Sequence, residues 1–334
     1  MKAAARLFLL LALLFCLPAE GQEKSGFFRD LNDFLDMRAD KKDAKIDTSY
    51  VGRYPYRWDA RTFTKVSGMH FVSSFGDSEL DTGVIPRIGL GISYRGLGLN
   101  YSHVIGKRNN YVFMLNMYGN HLGIEYDLHA VTDPKGYVNY PHLEYDDGGI
   151  SNLLLISNKV NVFYSFNSRF SYAAGMKQNR IQRRSAGSFI AAFSWSVWDM
   201  LFLRDGQRRI DSFFEANYFY QRFSLGAGYG LNLVFGQQHW LYHISVIPMW
   251  SVYEMQGWRE NGQRERTSYP YGFLSFAGTG RTGLYYRWGS RWSIGLNGIF
   301  NSMTSVSRFS RKADDYYHFG GYDWQADLSL AFRF

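Results

Sequence analysis

The sequence predicts an all-β fold: a transmembrane antiparallel up-and-down β-barrel of about twelve strands, behind a short N-terminal helical or linker segment. Three observations predict it. Apolar and polar residues alternate with period two along most of the chain, as in "DWQADLSLAFRF" (Asp323–Phe334). The 334 residues include 27 Phe, 25 Tyr, 9 Trp and 34 Gly but only 7 Pro, a balance that favours strands over helices. An export segment opens the chain, and no later run of apolar residues is long enough for a spanning helix.

The export segment comes first. Lys2 and Arg6 precede the apolar run Leu7–Leu17, and Ala19 and Gly21 offer small residues for cleavage before Gln22. The run is shorter than the roughly 20 residues a spanning helix needs. A lipid anchor at Cys16 is disfavoured by the bulky Phe15 before it. Cys16 is the single cysteine, so its removal with residues 1–21 leaves no disulfide chemistry. Residues 22–60 form the next unit. Phe27, Phe28, Leu31, Phe34, Leu35 and Met37 fall at helical intervals before a charged stretch, predicting an amphipathic helix and linker. It suits packing in the lumen, the inner membrane surface or a periplasmic partner. Residues 61–334 are the barrel.

Within that unit, Phe223, Leu225, Ala227, Tyr229, Leu231, Leu233 and Phe235 alternate with Arg222, Ser224, Gly226, Gly228, Gly230, Asn232 and Val234. Trp292, Ile294, Leu296 and Phe300 alternate likewise with Ser293, Gly295, Asn297 and Asn301. Period two means one apolar and one polar face per strand. Polar faces rich in Gly and Ser, with aromatics near strand ends, fit apolar residues facing lipid and small polar ones facing a lumen. Closure lets strands cross lipid, because every backbone group then finds a partner.

Short connections are expected at Arg108–Asn110, Gly236–Gln238 and Trp288–Arg291. Long polar ones are expected at Thr132–Gly149, Trp198–Asp211, Gln256–Ser268 and Ser305–Gly321. Thirteen candidate segments lie between Arg61 and Phe334, the least regular being Thr62–Phe75 and Ile150–Ser165. A barrel with both termini on one side needs an even number. Twelve is the expectation, with ten and fourteen open. The aromatic ending, Phe332 and Phe334, resembles the C-terminal signal read by the outer-membrane barrel assembly machinery.

The block "YSFNSRFSYAAGMKQNRIQRRSAGSF" (Tyr164–Phe189) resembles a family of Bacteroidota outer-membrane barrels known only as a domain of unknown function. Members run a Phe-Asn turn, an "FSY" strand and a Gln-basic-basic-"SAGSF" element. "YRGLGLNY" (Tyr94–Tyr101), "GAGYGLNLVF" (Gly226–Phe235) and "DTSYVGRYPYRW" (Asp47–Trp58) resemble it too. The resemblance covers most of the chain from about residue 47. It implies a location in the outer membrane of a Gram-negative bacterium and implies no activity.

Net charge is +8. Residues 1–21 hold Lys2, Arg6 and Glu20, leaving about +7 on the remainder. A basic exported barrel suits outer-membrane lipid and lipopolysaccharide. The positive charges are scattered, and nothing in the sequence points to nucleic acid. The richest polar column is His121, Glu125, Asp127 and His129, with about 6.6 Å between next neighbours on one strand face. These residues and His243 are metal-ligand types. One strand alone rarely wraps a metal, and a second strand, through His243, would have to contribute, so no metal or cofactor is the expectation. The better expectation is that the acids pair with inward Arg87, Arg222, Arg281 or Arg333, since buried charge needs a partner. Asp323 and Asp327 join the inward set. "SAGS" (Ser185–Ser188) lacks the strand-to-helix context of a nucleophile elbow.

Three function classes remain. The first is a narrow or plugged pore for small solutes, or a structural envelope barrel. The second is a lipid- or lipopolysaccharide-modifying enzyme, which would need a Ser–His pair at the bilayer edge. The third is a surface scaffold binding a partner through long loops.

Overall fold

A computed structural model describes residues 47–73, 78–105, 111–119, 121–132, 135–137, 139–140, 143–144, 153–203, 214–260, 263–267, 275–307 and 317–334, with Asp33 and Met37 before them. The signal segment and the expected amphipathic helix lie outside the described residues, except that Asp33 and Met37 are helical.

Twelve strands form the wall: β1 Trp58–Ser73, β2 Ile85–Tyr94, β3 Leu97–Val104, β4 Tyr111–Tyr118, β5 Leu122–Thr132, β6 Leu153–Ser165, β7 Ala186–Leu203, β8 Phe214–Phe235, β9 Trp240–Glu260, β10 Phe276–Trp288, β11 Trp292–Ser307 and β12 Tyr317–Arg333. Each pairs antiparallel with its sequence neighbours, and β12 pairs with β1 from Phe319↔Ser73 to Arg333↔Asp59. The barrel is therefore closed, and closure removes the exposed edges of an open sheet. Both irregular segments, Thr62–Phe75 and Ile150–Ser165, supply wall strands, β1 and β6.

The two ends differ. At the end holding Trp58 and Phe334, tight turns join neighbouring strands, except for the long β6–β7 connection of residues 166–185. Arg95 and Gly96, at φ 47° and 95°, make the two-residue β2–β3 turn, where only left-handed backbone keeps the twist of the flanking strands. Gly289 at φ 65° turns β10 into β11. β3 runs away from the end that holds Trp58 and Phe334, so the connection expected at Arg108–Asn110 does not start among the short turns; residues 106–110 themselves lie outside the described residues. The expected long connections all begin at the opposite end. Three are partly consumed by wall strands, since β7 runs on to Leu203, β9 to Glu260, and β12 starts at Tyr317, and the first, Thr132–Gly149, carries the short strands Lys135–Tyr137, Asn139–Tyr140 and Leu143–Glu144. The rest of them lies largely outside the described residues.

The predicted faces hold. Leu225, Tyr229, Leu233, Leu296, Phe300, Leu328 and Leu330 are exposed on the outside, while Arg222, Ser224, Asn232, Ser293, Asn297 and Ser329 are buried inside. Rings gather in two belts. At the short-turn end, Phe235, Trp240, Tyr286, Trp288, Trp292, Phe332 and Phe334 form a chain with successive centroids 4.6–6.2 Å apart. Farther along, Trp250 meets Phe276 and Phe300 meets Tyr322, both at 5.9 Å. Trp240 and Trp250 are ten residues apart on β9. At about 3.3 Å per residue and a tilt near 40°, they stand roughly 25 Å apart along the barrel axis. Between them Ile244 and Val246 face outward.

One segment departs from the alternation. The β6–β7 connection folds into the barrel and carries the helix α1, Tyr172–Lys177. The "FSY" element expected as a strand is the start of this helix. Ser171 is its N-cap, accepting from the Ala174 amide at 3.1 Å. Six residues cannot hold a helix alone; burial of Tyr172–Met176 among wall side chains supplies what the sequence does not. Past α1, Arg180–Gln182 pairs with Val51–Arg53, so the chain just ahead of β1 is tied to the same element.

Candidate functional site: a filled lumen

Among the described residues, side chains and α1 fill the lumen in successive layers. At the short-turn end, Arg333 sits 3.8 Å from the Tyr54 ring centroid and donates to the Gln178 carbonyl and Ser293 hydroxyl, each at 2.9 Å. Its Nε is 3.5 Å from the Asp59 carboxylate. Arg61 donates to the Lys177 carbonyl, holding the C-terminal turn of α1.

The next level binds α1 to the wall. Asn232 on β8 donates to the Ser171 carbonyl at 2.9 Å and the Gln182 side chain at 3.0 Å. Its Oδ1 is 2.7 Å from His243 Nδ1, and His243 Nε2 is 3.2 Å from Ser245 Oγ. Gly175 faces this group, and a Cβ there would collide with the His243 ring and the Asn232 amide. The helix therefore needs glycine at its closest approach to the wall. Across the lumen, Arg281 on β10 grips Glu125 on β5 with two hydrogen bonds of 2.6 Å. Tyr118 also donates to Glu125. The guanidinium lies 4.6 Å from the Phe163 ring centroid.

Above it, Arg222 bonds Ser251 and lies 3.3 Å from Glu254. Glu254 also accepts from Tyr220 and Ser275, each at 3.0 Å, and from Ser305. A bulge in β9 makes this cage. Phe223 pairs with Tyr253 while Ser224 pairs with Ser251, leaving Val252 as the extra residue. The shift turns both Ser251 and Glu254 inward, as bulges re-aim side chains. Nearer the long-loop end, Phe71, Val131, Leu155, Trp198, Met200, Tyr220 and Phe319 form a buried apolar layer. Among the described residues, cavities of about 40 and 20 Å³ lie between the layers, each with room for water molecules rather than an organic solute.

The predicted column is thus placed residue by residue. Glu125 has its arginine, and Asp127 stands in register with Lys159. His129 lines the smaller cavity. His121 precedes the strand and leaves the column: its Nδ1 is 2.6 Å from the Ser165 carbonyl and its ring stacks on Tyr164. Asp323 accepts from Asn301 at 2.7 Å and Asp327 from Asn297 at 3.0 Å. The expected arginine partners hold only for Glu125. Arg222 takes Glu254 and Arg333 takes Asp59, two acids outside the candidate set. Among the described residues no group of His, Cys, Asp and Glu gathers for a metal. Sequence reading missed α1, Glu254 and Tyr118. A break in alternation at "SYAAGMK" was the available signal for α1; nothing local marks the other two.

The fold and its filled lumen define a closed twelve-strand antiparallel barrel with an apolar outer face. The chain belongs to the family described as Domain of unknown function (DUF4421), which matches residues 45–320. No curated protein matches its sequence. Among solved structures it is similar to the outer membrane protease OmpT from Escherichia coli, at 8% identity, TM-score 0.39, 84% of this chain and 97% of that one. An outer membrane channel from Pseudomonas putida F1 gives 10% identity, TM-score 0.33, 85% and 97%. The translocator domain of autotransporter NalP from Neisseria meningitidis gives 10%, 0.32, 93% and 98%.

Proposed function

We propose that the chain is an integral outer-membrane barrel of a Gram-negative envelope, shut at rest, through which a small solute passes only when α1 leaves the lumen. The observation that carries the reading is the inward β6–β7 connection, held by hydrogen bonds and one close glycine contact rather than by covalent bonds. The apolar band between two aromatic belts supports burial in lipid, with lipopolysaccharide meeting the long-loop end. The aromatic strand end at Phe332 and Phe334 is the proposed contact for the barrel assembly machinery. The test is conductance of the purified protein in planar bilayers beside Gly175→Leu. The native protein should be silent and the variant should open in discrete steps. A wild type that conducts steadily would refute the resting plug. Silence in both would leave a structural barrel.

A second reading, an enzyme acting on lipid esters, draws support from Ser245, His243 and Asn232. Their hydrogen bonds have the order of a nucleophile, its base and the residue that orients the base. All three are buried inside the lumen rather than at the bilayer edge, so this chemistry too requires α1 to move. Labelling of Gly175→Leu by a serine-reactive fluorophosphonate, lost in Ser245→Ala, would favour it; no labelling would remove it.

A further inference from the structure

Lys65 and Arg87 stand directly opposite each other in the β1–β2 pair. Both face inward and are buried, at 4% and 2% exposure. Like charges in opposed positions repel, and a guanidinium withdrawn from water needs a counter-charge. Three other buried arginines have one: Arg281 has Glu125, Arg222 has Glu254 and Arg333 has Asp59. Among the described residues Arg87 has no carboxylate partner. It donates through Nη1 to the Ser67 hydroxyl, and its Nε is buried without a hydrogen bond. Lys65 turns to the Gln325 side-chain carbonyl at 2.6 Å.

Arg87 lines the cavity of about 20 Å³ together with Ser67, Thr82, His129, Gln325 and Asp323. Asp323 is the acid on this surface, and its carboxylate accepts from Asn301 on β11. The space suits one water or one monatomic ion. Water can take up a hydrogen bond but cannot neutralise the charge. We infer that this cavity binds one inorganic anion of halide size, held by the Arg87 guanidinium and the Ser67 hydroxyl beside Lys65. The site needs neither a pore nor a moving plug. It stands whether or not the barrel conducts.

The test uses the full-length folded protein in detergent micelles. Its unfolding midpoint is followed as chloride or bromide replaces gluconate at constant ionic strength. A saturable rise is expected in the wild type, as for any ligand that binds only the folded state. Arg87→Met should lose that rise and be at least as stable as wild type in gluconate. An equal response in both proteins would be a general salt effect and would overturn the site. If the variant does not fold, bromide-soaked wild-type crystals decide alone. An anomalous peak at Arg87 confirms the anion, and a peak absent there at high bromide leaves water only and ends the proposal. Conductance results bear on the plug and leave this outcome untouched.

Discussion

Arg281 and Glu125 join opposite sides of the barrel. Their side chains meet in two parallel hydrogen bonds of 2.6 Å, although the residues are 156 positions apart and their strands stand five places apart around the wall. A bidentate pair of this kind is both strong and directional. It crosses the lumen where a solute would pass.

Breaking that pair leaves a buried charge without its partner. Glu125→Gln should destabilise the barrel by about 3–5 kcal/mol. Replacing both residues, with Arg281→Met added, should recover much of the loss. Urea unfolding of the four proteins of the cycle measures the coupling. Simple additivity of the two changes would mean that the pair contributes nothing of its own.

The outward band makes a depth-dependent prediction. Val246 lies between the aromatic belts and is 60% exposed on the outer face. Val246→Arg should cost roughly 2–4 kcal/mol in lipid, whereas Val246→Leu should be nearly neutral. Folding into lipid vesicles reads the difference. Equal behaviour of the two variants would place this face away from hydrocarbon.

The cap on α1 is a separate handle on the plug. Ser171→Ala removes the acceptor for the Ala174 amide and should weaken the helix by about 1 kcal/mol. Hydrogen exchange should then quicken at residues 172–177 and stay unchanged in β11 and β12. Uniform exchange across the barrel would show that α1 does not move independently of the wall.

Outside the strands, Asp47 accepts from the Ser49 hydroxyl and amide and lies 3.3 Å from Arg169. The Ser49 hydroxyl, more than Arg169, holds its carboxyl below the ordinary value near 3.8. A depressed folded pKa stabilises above the unfolded value, and that stability disappears as pH falls through the folded one. The link from residue 47 to the β6–β7 connection should therefore loosen only in acid, below about pH 4. Ser49→Ala should move the Asp47 titration upward by NMR. An unchanged titration would show that the hydroxyl plays no part.

Much of the wall was legible because its information is local. Phe223 and Arg222 declare opposite faces simply by being adjacent, since side chains alternate along any strand. The same rule identified Glu125, Asp127 and His129 as inward residues. It failed at His121, where the strand has not yet begun, and it assigns no face to Ser251 and Glu254, where a one-residue bulge reverses the parity. The "FSY" strand that the family resemblance implied is instead the start of α1, and a six-residue helix carries too little periodic pattern to announce itself.

The strands, their inner and outer faces and the closed architecture those faces demand are all written in local alternation. What fills the lumen depends on contacts between strands far apart in the chain. Arg281 meets Glu125 rather than Asp127, Arg222 meets Glu254, and Arg87 is left without an acid among the described residues, because partners across a closed barrel are chosen by register, shear and the bulge in β9. The fate of the β6–β7 connection was settled in the same way. Its helix gains stability from Asn232, Tyr118 and Phe163, contacts that exist only after the ring has closed around it.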